Sequence, residues 1–201
     1  MVKYSAKNNG DIYMKSLSKF LQNKRLNIIE KYIKGDVLDI GCGDGEIYKK
    51  YSEKISYYFG IEYDKDRVEK LNSDFKGNNK VLFQSNDLNI EEIKLNNKFD
   101  TILLVAVIEH ILNQQKLFDF IIRHLKDDGK IVITTPTVFG NDVIHKIGAG
   151  LGVFSKVASD DHFVIYNRKR FDNISKYFNL KILVYKKFEF GCNQLVVLEK
   201  I

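Results

Sequence analysis

Short apolar segments alternate along the chain with segments whose apolar residues recur every three or four positions. The short segments are rich in Val, Ile, Leu, Phe and Tyr and carry apolar residues at consecutive positions, as strands do when both faces of a parallel sheet are buried. Such strands are predicted at residues 36–40, 57–62, 80–84, 99–106 and 130–135. Because helical patterns lie between them, the alternation predicts an α/β fold with helices on both faces of the sheet.

The predicted helices follow residues that favour helix starts. One begins after Asp64 and another after Asn167, both good N-cap residues. A third is predicted to continue until Asp128 and Gly129 stop it. The apolar positions that define these helices are Val68, Leu71 and Phe75, then Leu117, Phe118, Ile121 and Leu125, then Phe171, Ile174 and Phe178.

The two ends of the chain add further elements. Strands are predicted at about 180–187 and 193–200, and only the short Glu189–Cys192 link separates them, so they should pair antiparallel. Residues 1–34 carry an apolar stripe and predict one or two amphipathic helices. These helices either pack against the sheet or close over a bound cofactor.

Residues 137–163 interrupt the alternation of strands and helices. They contain four glycines and isolated apolar residues, and they follow the predicted fifth strand directly. Open α/β sheets bind ligands beyond the carboxyl ends of their strands. We therefore expect this insertion to form a lid or substrate cap.

Length and composition favour one domain, spanning residues 1–201. The chain is 44% hydrophobic and contains no Ser/Gly/Pro-rich linker or repeat. Its formal net charge is +6, but the lysines are scattered among acidic residues, which is more typical of a solvated surface than of a nucleic-acid footprint.

Cysteine usage and hydropathy predict the setting of the protein. Cys42 and Cys192 form no C-x-x-C pair, so the sequence suggests neither a disulfide framework nor a zinc site, and no metal is expected. The N-terminus has no apolar signal core, and the longest apolar run, Ile102–Ile108, is too short to span a bilayer. A soluble, reducing, cytoplasmic setting is the expectation.

The decapeptide VLDIGCGDGE, residues 37–46, carries the strongest chemical signal. Gly41, Gly43 and Gly45 follow an apolar strand and precede a helical segment. Glycines allow unusual backbone angles and close approach of a ligand, and a helix N-terminus favours anionic or polar groups. The dinucleotide fingerprint G-x-G-x-x-G fails because Glu46 stands at its last glycine, whereas D-x-G-x-G-x-G is complete.

This loop resembles motif I of the class I S-adenosylmethionine (SAM) methyltransferases. FDTILLVAVIEHI, residues 99–111, and LKDDGKIVITTP, residues 125–136, resemble two later segments of the type 11/type 12 branch, although Asp127 and Asp128 replace the usual Pro-Gly. The resemblance covers about residues 35–136. It implies SAM as cofactor and a Rossmann-like, doubly wound, seven-stranded sheet of order 3-2-1-4-5-7-6 with an antiparallel last strand.

Several acidic and aromatic residues are candidates for holding SAM beside the glycine loop. Glu62 ends the second predicted strand, 17 residues after Gly45, where a carboxylate can accept from two ribose hydroxyls. Tyr63 is placed to lay its ring against the adenine. Asp87 either accepts from the adenine amino group or makes a simple turn, and Asp39 either attracts the SAM ammonium or fixes the loop.

Methyl transfer is an in-line displacement, so the acceptor atom must be positioned and, for a hydroxyl, must lose a proton. Histidine suits proton removal near neutral pH. His110 follows the fourth predicted strand and is either such a base or a structural link to the next helix. His162 either enters the cavity from the cap or lies on a surface loop.

The sequence predicts a SAM-dependent methyltransferase acting on an oxygen or nitrogen of a small-molecule or glycan acceptor. Basic residues flank the cap and are compatible with an anionic substrate: Lys146, Lys156, Arg168, Lys169 and Arg170. Two alternatives stay open: an RNA or protein methyltransferase, and a methyltransferase-like binding subunit without catalysis. The sequence leaves the oligomeric state open.

Overall fold

The computed structural model describes residues 20–89, 93, 95–140 and 164–201. The strands are β1 (Gly35–Ile40), β2 (Ile55–Glu62), β3 (Val81–Ser85), β4 (Phe99–Val105), β5 (Leu125–Pro136), β6 (Leu180–Phe188) and β7 (Asn193–Lys200). They form one sheet of order 3-2-1-4-5-7-6, in which β7 runs antiparallel to both of its neighbours and all other pairs are parallel. Both the implied order and the predicted antiparallel pair are confirmed.

Five helices accompany the sheet in the described part of the chain. They are α1 (20–29), α2 (Glu46–Tyr51), α3 (Lys65–Asp74), α4 (Gln114–His124) and α5 (Arg168–Tyr177), and residues 138–140 are also helical. The Asp64 side chain accepts from the Arg67 N–H and starts α3. Asn167 accepts from the Arg170 N–H and starts α5. Both predicted caps are confirmed, and each satisfies a backbone donor that a helix end leaves free.

The helix predicted to end at Asp128 and Gly129, which corresponds to α4, is shorter than predicted, so the predicted end is wrong. Helix α4 ends at His124, and Leu125 begins β5 opposite Phe99. The next paired residues are Thr101 and Lys130, so residues 126–129 bulge from the strand between these two pairs. Leu125 satisfies the helical spacing of the preceding apolar residues, but its pairing with a distant strand decides its conformation.

Two apolar clusters cover the two faces of the sheet. One contains Phe118 and Ile121 of α4 and Phe171 of α5. The other contains residues of α1, α2 and α3, including Leu26 and Ile29. Successive residues of the central strands enter opposite clusters, as the period of a strand requires. The predicted layers of helices on both faces are therefore confirmed.

Parts of two predicted features lie outside the described residues. For the N-terminal segment, the described helix 20–29 packs against the sheet, and residues 1–19 are outside the description. Of the predicted cap, residues 141–163 also lie outside the described residues. No helix in the described ranges has the length and apolar character needed to cross a membrane.

A buried glutamine joins three parts of the fold. Gln194 of β7 has no exposed surface, and its Nε2 donates to the carbonyl oxygens of Pro136 at 3.0 Å and Tyr166 at 2.8 Å. Its Oε1 accepts from the Tyr185 hydroxyl at 2.8 Å. The side chain therefore ties the end of β5 and the segment before α5 to the antiparallel strands, with its polar atoms satisfied.

Replacing this side chain by one of similar length should destabilise the fold. We expect Gln194→Met to lower the free energy of unfolding by about 2 kcal/mol or more, because two buried carbonyls lose their donor. Tyr185→Phe removes only one of the bonds and should cost about 1 kcal/mol. Urea denaturation of both variants measures the difference, and a Gln194→Met variant as stable as the parent would contradict the role of this side chain.

Candidate functional site

The glycine loop folds back onto the end of β2. The backbone N–H groups of Gly41 and Cys42 both donate to the Ile61 carbonyl, at 2.8 and 3.0 Å. Gly41 has a φ of +74°, and a Cβ built on it would lie 2.2 Å from a methyl group of Val107. A side chain at this position is therefore excluded both by the backbone angle and by the turn that follows β4.

Gly43 and Gly45 differ from each other in what surrounds them. Gly43 has a φ of +53°, and no atom lies within 4 Å of a Cβ built on it, so this Cα faces open space. Gly45 has a φ of +69° and precedes α2, and a Cβ there would meet Leu71 at 3.0 Å. Gly45 therefore serves the packing of the loop, whereas Gly43 leaves room at its surface.

The Glu62 carboxylate joins this loop to the end of β2. One oxygen accepts from the Gly43 N–H at 2.9 Å, and the other accepts from the N–H groups of Tyr63 and Asp64 at 3.1 and 3.3 Å. The residue is only 5% exposed. Three backbone donors hold the carboxylate in place; Oε1 already accepts two of them, and Oε2 accepts one and keeps a second lone pair with which to accept from a ligand.

A cavity of about 500 Å³ opens at the carboxyl ends of the central strands. Its volume is within the range of small-molecule sites, roughly 300–1,000 Å³. The structure brings together at this cavity six of the residues predicted to form the site: Gly41, Gly43, Glu62, Tyr63, Asp87 and His110. The Tyr63 side chain is 74% exposed. The Asp87 carboxylate also accepts from the Asn89 N–H at 2.9 Å, the turn contact that was its alternative role.

Asp39 lies beneath the loop and is not among the residues that line this cavity. It is 1% exposed, and its carboxyl accepts from the Tyr58 hydroxyl at 2.5 Å. Burial raises the pKa of Asp39 to about 7; the Tyr58 hydrogen bond opposes this rise and the Glu62 charge adds to it. His162, the remaining predicted residue, lies outside the described residues.

The turn after β4 places two neighbouring residues, Glu109 and His110, in different surroundings. Ala106 has a φ of +56°, rare for a residue with a side chain, and its N–H donates to the Thr134 carbonyl at 2.9 Å. The chain then enters a short 3₁₀ turn, Ile108–His110. His110 lines the cavity, whereas Glu109 does not line it and is 3% exposed.

Sequence reasoning missed three polar residues of the cavity wall, Arg67, Asn86 and Asn89. Asn89 accepts from the Leu112 N–H at 2.8 Å and donates to the His110 carbonyl at 3.2 Å, so it links the loop after β3 to the turn after β4. The Nε of Arg67 lies 3.8 Å from a carboxylate oxygen of Asp44 and 3.4 Å from a carboxylate oxygen of Asp64. No short motif marks Asn89 or Arg67, because their partners come from separate segments.

Over the described ranges, no group of three or more His, Cys, Asp or Glu residues is arranged to hold a metal.

Comparison with protein families gives a match over most of the chain. A family model described as a methyltransferase domain matches residues 9–184. The chain is 34% identical over 128 residues to phosphoethanolamine N-methyltransferase of Plasmodium falciparum, a match covering 62% of this chain and 48% of that protein. It is 28% identical over 100 residues to ubiquinone biosynthesis O-methyltransferase of Rickettsia akari, covering 50% of this chain and 39% of that protein. The chain therefore spans half or less of the length of these curated relatives.

Solved structures share the architecture at low sequence identity. A SAM-dependent methyltransferase from Clostridium acetobutylicum superposes with a TM-score of 0.62 and 15% identity, covering 92% of this chain and 91% of that one. At this identity the likeness concerns the fold alone. It confirms the Rossmann-like methyltransferase architecture expected from the sequence.

The raised pKa of Asp39 predicts a pH-dependent stability. Between about pH 4 and pH 7 the folded protein holds a proton on Asp39 that the unfolded chain has lost, so stability falls as the pH rises through this window. The loss amounts to at most about 4 kcal/mol and is complete above the folded pKa. Asp39→Asn still accepts from Tyr58 and should remove this dependence.

The measurement is urea denaturation of both proteins from pH 4.5 to 7.5. All other titratable groups are common to both proteins, so the difference between their stability curves isolates Asp39. Asp128→Asn, a change at an exposed carboxylate, is the matched control and should leave the pH dependence unaltered. Parallel stability curves for the parent and Asp39→Asn would show that the buried carboxyl is not the source.

Proposed function

This chain belongs to the methyltransferase-domain family, and we propose that it transfers a methyl group from SAM to an oxygen or nitrogen of a small-molecule or glycan acceptor. The observation that carries the proposal is the cavity bounded by the glycine loop and the Glu62 carboxylate. The named relatives support it, since one methylates nitrogen and the other oxygen.

The residues of the cavity fit the parts of SAM by their chemistry. The Glu62 carboxylate is fixed by backbone donors, and the remaining lone pair of its Oε2 can accept from a ribose hydroxyl. Gly43 leaves space for the cofactor at the loop surface. The exposed Tyr63 ring is available to cover the adenine, and the Asp87 carboxylate can accept from its amino group. Bound SAM supplies an electrophilic methyl group on a sulfonium.

His110 is the residue we propose for proton removal from the acceptor. Its backbone N–H donates to the Val107 carbonyl and its carbonyl accepts from Asn89, so the turn that carries it is fixed at both ends. The residue lines the cavity, where an imidazole can take a proton near neutral pH. His162 is proposed as a second acceptor-side residue and lies outside the described residues.

A methyl group added at Gly43 should block the cofactor. We expect Gly43→Ala to weaken SAM binding about tenfold or more, because the added Cβ enters the space at the loop surface. Calorimetric titration with SAM and with S-adenosylhomocysteine measures the loss. NADH serves as the ligand that should not bind, since the loop lacks the dinucleotide fingerprint.

Gly77→Ala is the matched control for this substitution. Gly77 also has a positive φ, +88°, and open space around a Cβ, so both variants carry similar backbone strain. Gly77 is not among the residues that line the cavity. Equal loss of SAM affinity in both variants would attribute the effect to strain, and a parent protein that binds neither adenosyl ligand would refute the proposed function.

Removing the imidazole should affect turnover more than cofactor binding. We expect His110→Gln to lower kcat by about a hundredfold or more and to flatten the acidic limb of the pH–rate profile. S-adenosylhomocysteine release is followed with phosphoethanolamine and with a catechol as trial acceptors. As the control, the affinity of His110→Gln for SAM should stay within about threefold of the parent value. An unchanged pH profile would limit His110 to a structural role.

A further inference from the structure

Another cavity lies between the start of α4 and one side of α5. Its volume is about 640 Å³, within the range of small-molecule sites. Gln114 and Gln115 of α4 line one side of it, and residues of α5 line the other, including Lys169, Arg170 and Tyr177. We refer to this cavity as the α4/α5 groove. None of the described residues that line it also lines the cavity assigned to SAM.

Positive charge is concentrated in the part of the chain that forms one wall of the groove. Residues 164–192, which include α5 and β6, contain seven lysines and arginines and two acidic residues. They therefore carry five of the six net positive charges of the chain. Because this excess is local, the side of the molecule that holds the groove attracts anions.

The cations of the first turn of α5 differ in their partners. Arg168 pairs with Asp172 at 2.9 Å and packs over the Tyr185 ring of β6. Lys169 and Arg170 line the groove, and no carboxylate oxygen among the described residues lies within 4.0 Å of their side-chain nitrogens. Two adjacent cations without a counter-charge suit a ligand with two negative charges.

Aromatic packing holds Arg170 in place. Its guanidinium lies over the Tyr166 ring, 5.4 Å from the centroid, and Tyr166 stacks on Phe171 at 5.2 Å between centroids. Both rings are completely buried, so the fold fixes this platform. A guanidinium that is already positioned loses less freedom when it binds, and its planar fork matches phosphate oxygens.

An exposed aromatic ring lies two turns further along α5, about 10 Å from the cations along the helix axis. Tyr177 lines the groove and is 70% exposed, and its ring meets Phe178 edge-on at 4.8 Å between centroids. Phe178 in turn stacks on Phe118 of α4 at 5.2 Å, which anchors this wall to the core. A supported, exposed ring is suited to stack on a planar ligand.

Cations, amides and an aromatic ring together match one class of ligand. Phosphate groups bind cations, base edges bind amides that donate and accept, such as those of Gln115 and Asn173, and a base ring stacks on an aromatic side chain. We propose that the α4/α5 groove binds a nucleoside diphosphate, free or as part of a larger molecule, with its phosphates at Lys169 and Arg170 and its base against Tyr177. This inference goes beyond the proposed methyl transfer and does not rest on it.

Calorimetric titration of the full chain saturated with S-adenosylhomocysteine tests the assignment. Saturation keeps the added nucleotides out of the proposed adenosine site. The probes are UDP, CDP, GDP and ADP, each compared with its nucleoside and with inorganic pyrophosphate. We expect at least one nucleoside diphosphate to bind about tenfold more tightly than either of its halves, because each half makes only part of the contacts.

Two lysines of α5 provide the matched control. Both are exposed, but Lys169 lines the groove and Lys176 is not among its lining residues. Lys169→Gln should weaken nucleoside diphosphate binding about tenfold, as loss of a charge-assisted hydrogen bond does. Lys176→Gln removes the same charge and should leave the affinity unchanged. Tyr177→Ala should weaken binding about fivefold or more and leave pyrophosphate binding unchanged, because only the base stacks.

The outcomes separate this inference from the proposed function. If no nucleoside diphosphate binds, or if the two lysine variants weaken it equally, the assignment is overturned. Pyrophosphate binding as tight as that of every nucleoside diphosphate would also overturn it, and tighter binding of hexauridylate through Lys169 would assign the groove to RNA instead. If the parent does not bind S-adenosylhomocysteine, the proposed cofactor is wrong, and titration of the parent and both lysine variants with UDP alone still decides the assignment of the groove.

Discussion

The site depends on the close approach of the glycine loop to the turn after β4. β1 pairs with β2 on one side and β4 on the other, so the segments that follow these parallel strands meet at one edge of the sheet. The approach leaves no room for a Cβ at Gly41 against Val107. With the loop held in this position, its Gly43 N–H reaches Glu62, and the cavity forms between the loop, the end of β2 and the turn.

The turn after β4 separates two chemical environments within two residues. Ala106 leaves the strand with a left-handed backbone angle, which redirects the chain into the short 3₁₀ turn. His110 then lines the cavity beside Asn89, whereas Glu109 is buried near Thr135. The strained residue therefore has a consequence for function, because it sets the turn that presents His110 to the cavity and turns Glu109 into the interior.

The fold was largely predictable because its signals are local. Buried parallel strands read as apolar runs, and the short Glu189–Cys192 link forced antiparallel pairing at the end of the chain. The helix predicted at Leu125 is wrong because this residue fits the helical spacing after Ile121, and only its pairing with Phe99 makes it a strand residue. The glycine loop and Glu62 were found through a motif. Asn89 and Arg67 carry no motif, since their partners come from segments that meet only in the folded chain.

Buried polar groups in this interior are partnered by side chains and carbonyls from other segments of the chain. Gln194 is completely satisfied by the fold, and the Asp39 carboxyl is partnered by Tyr58. Glu109 is nearly as deeply buried as Asp39; burial raises its pKa, and the His110 charge, the Thr135 hydroxyl and the Arg25 charge oppose this rise. Each of these buried carboxyls therefore depends on a hydroxyl from another segment of the chain, Tyr58 for Asp39 and Thr135 for Glu109, in place of the water that burial excludes.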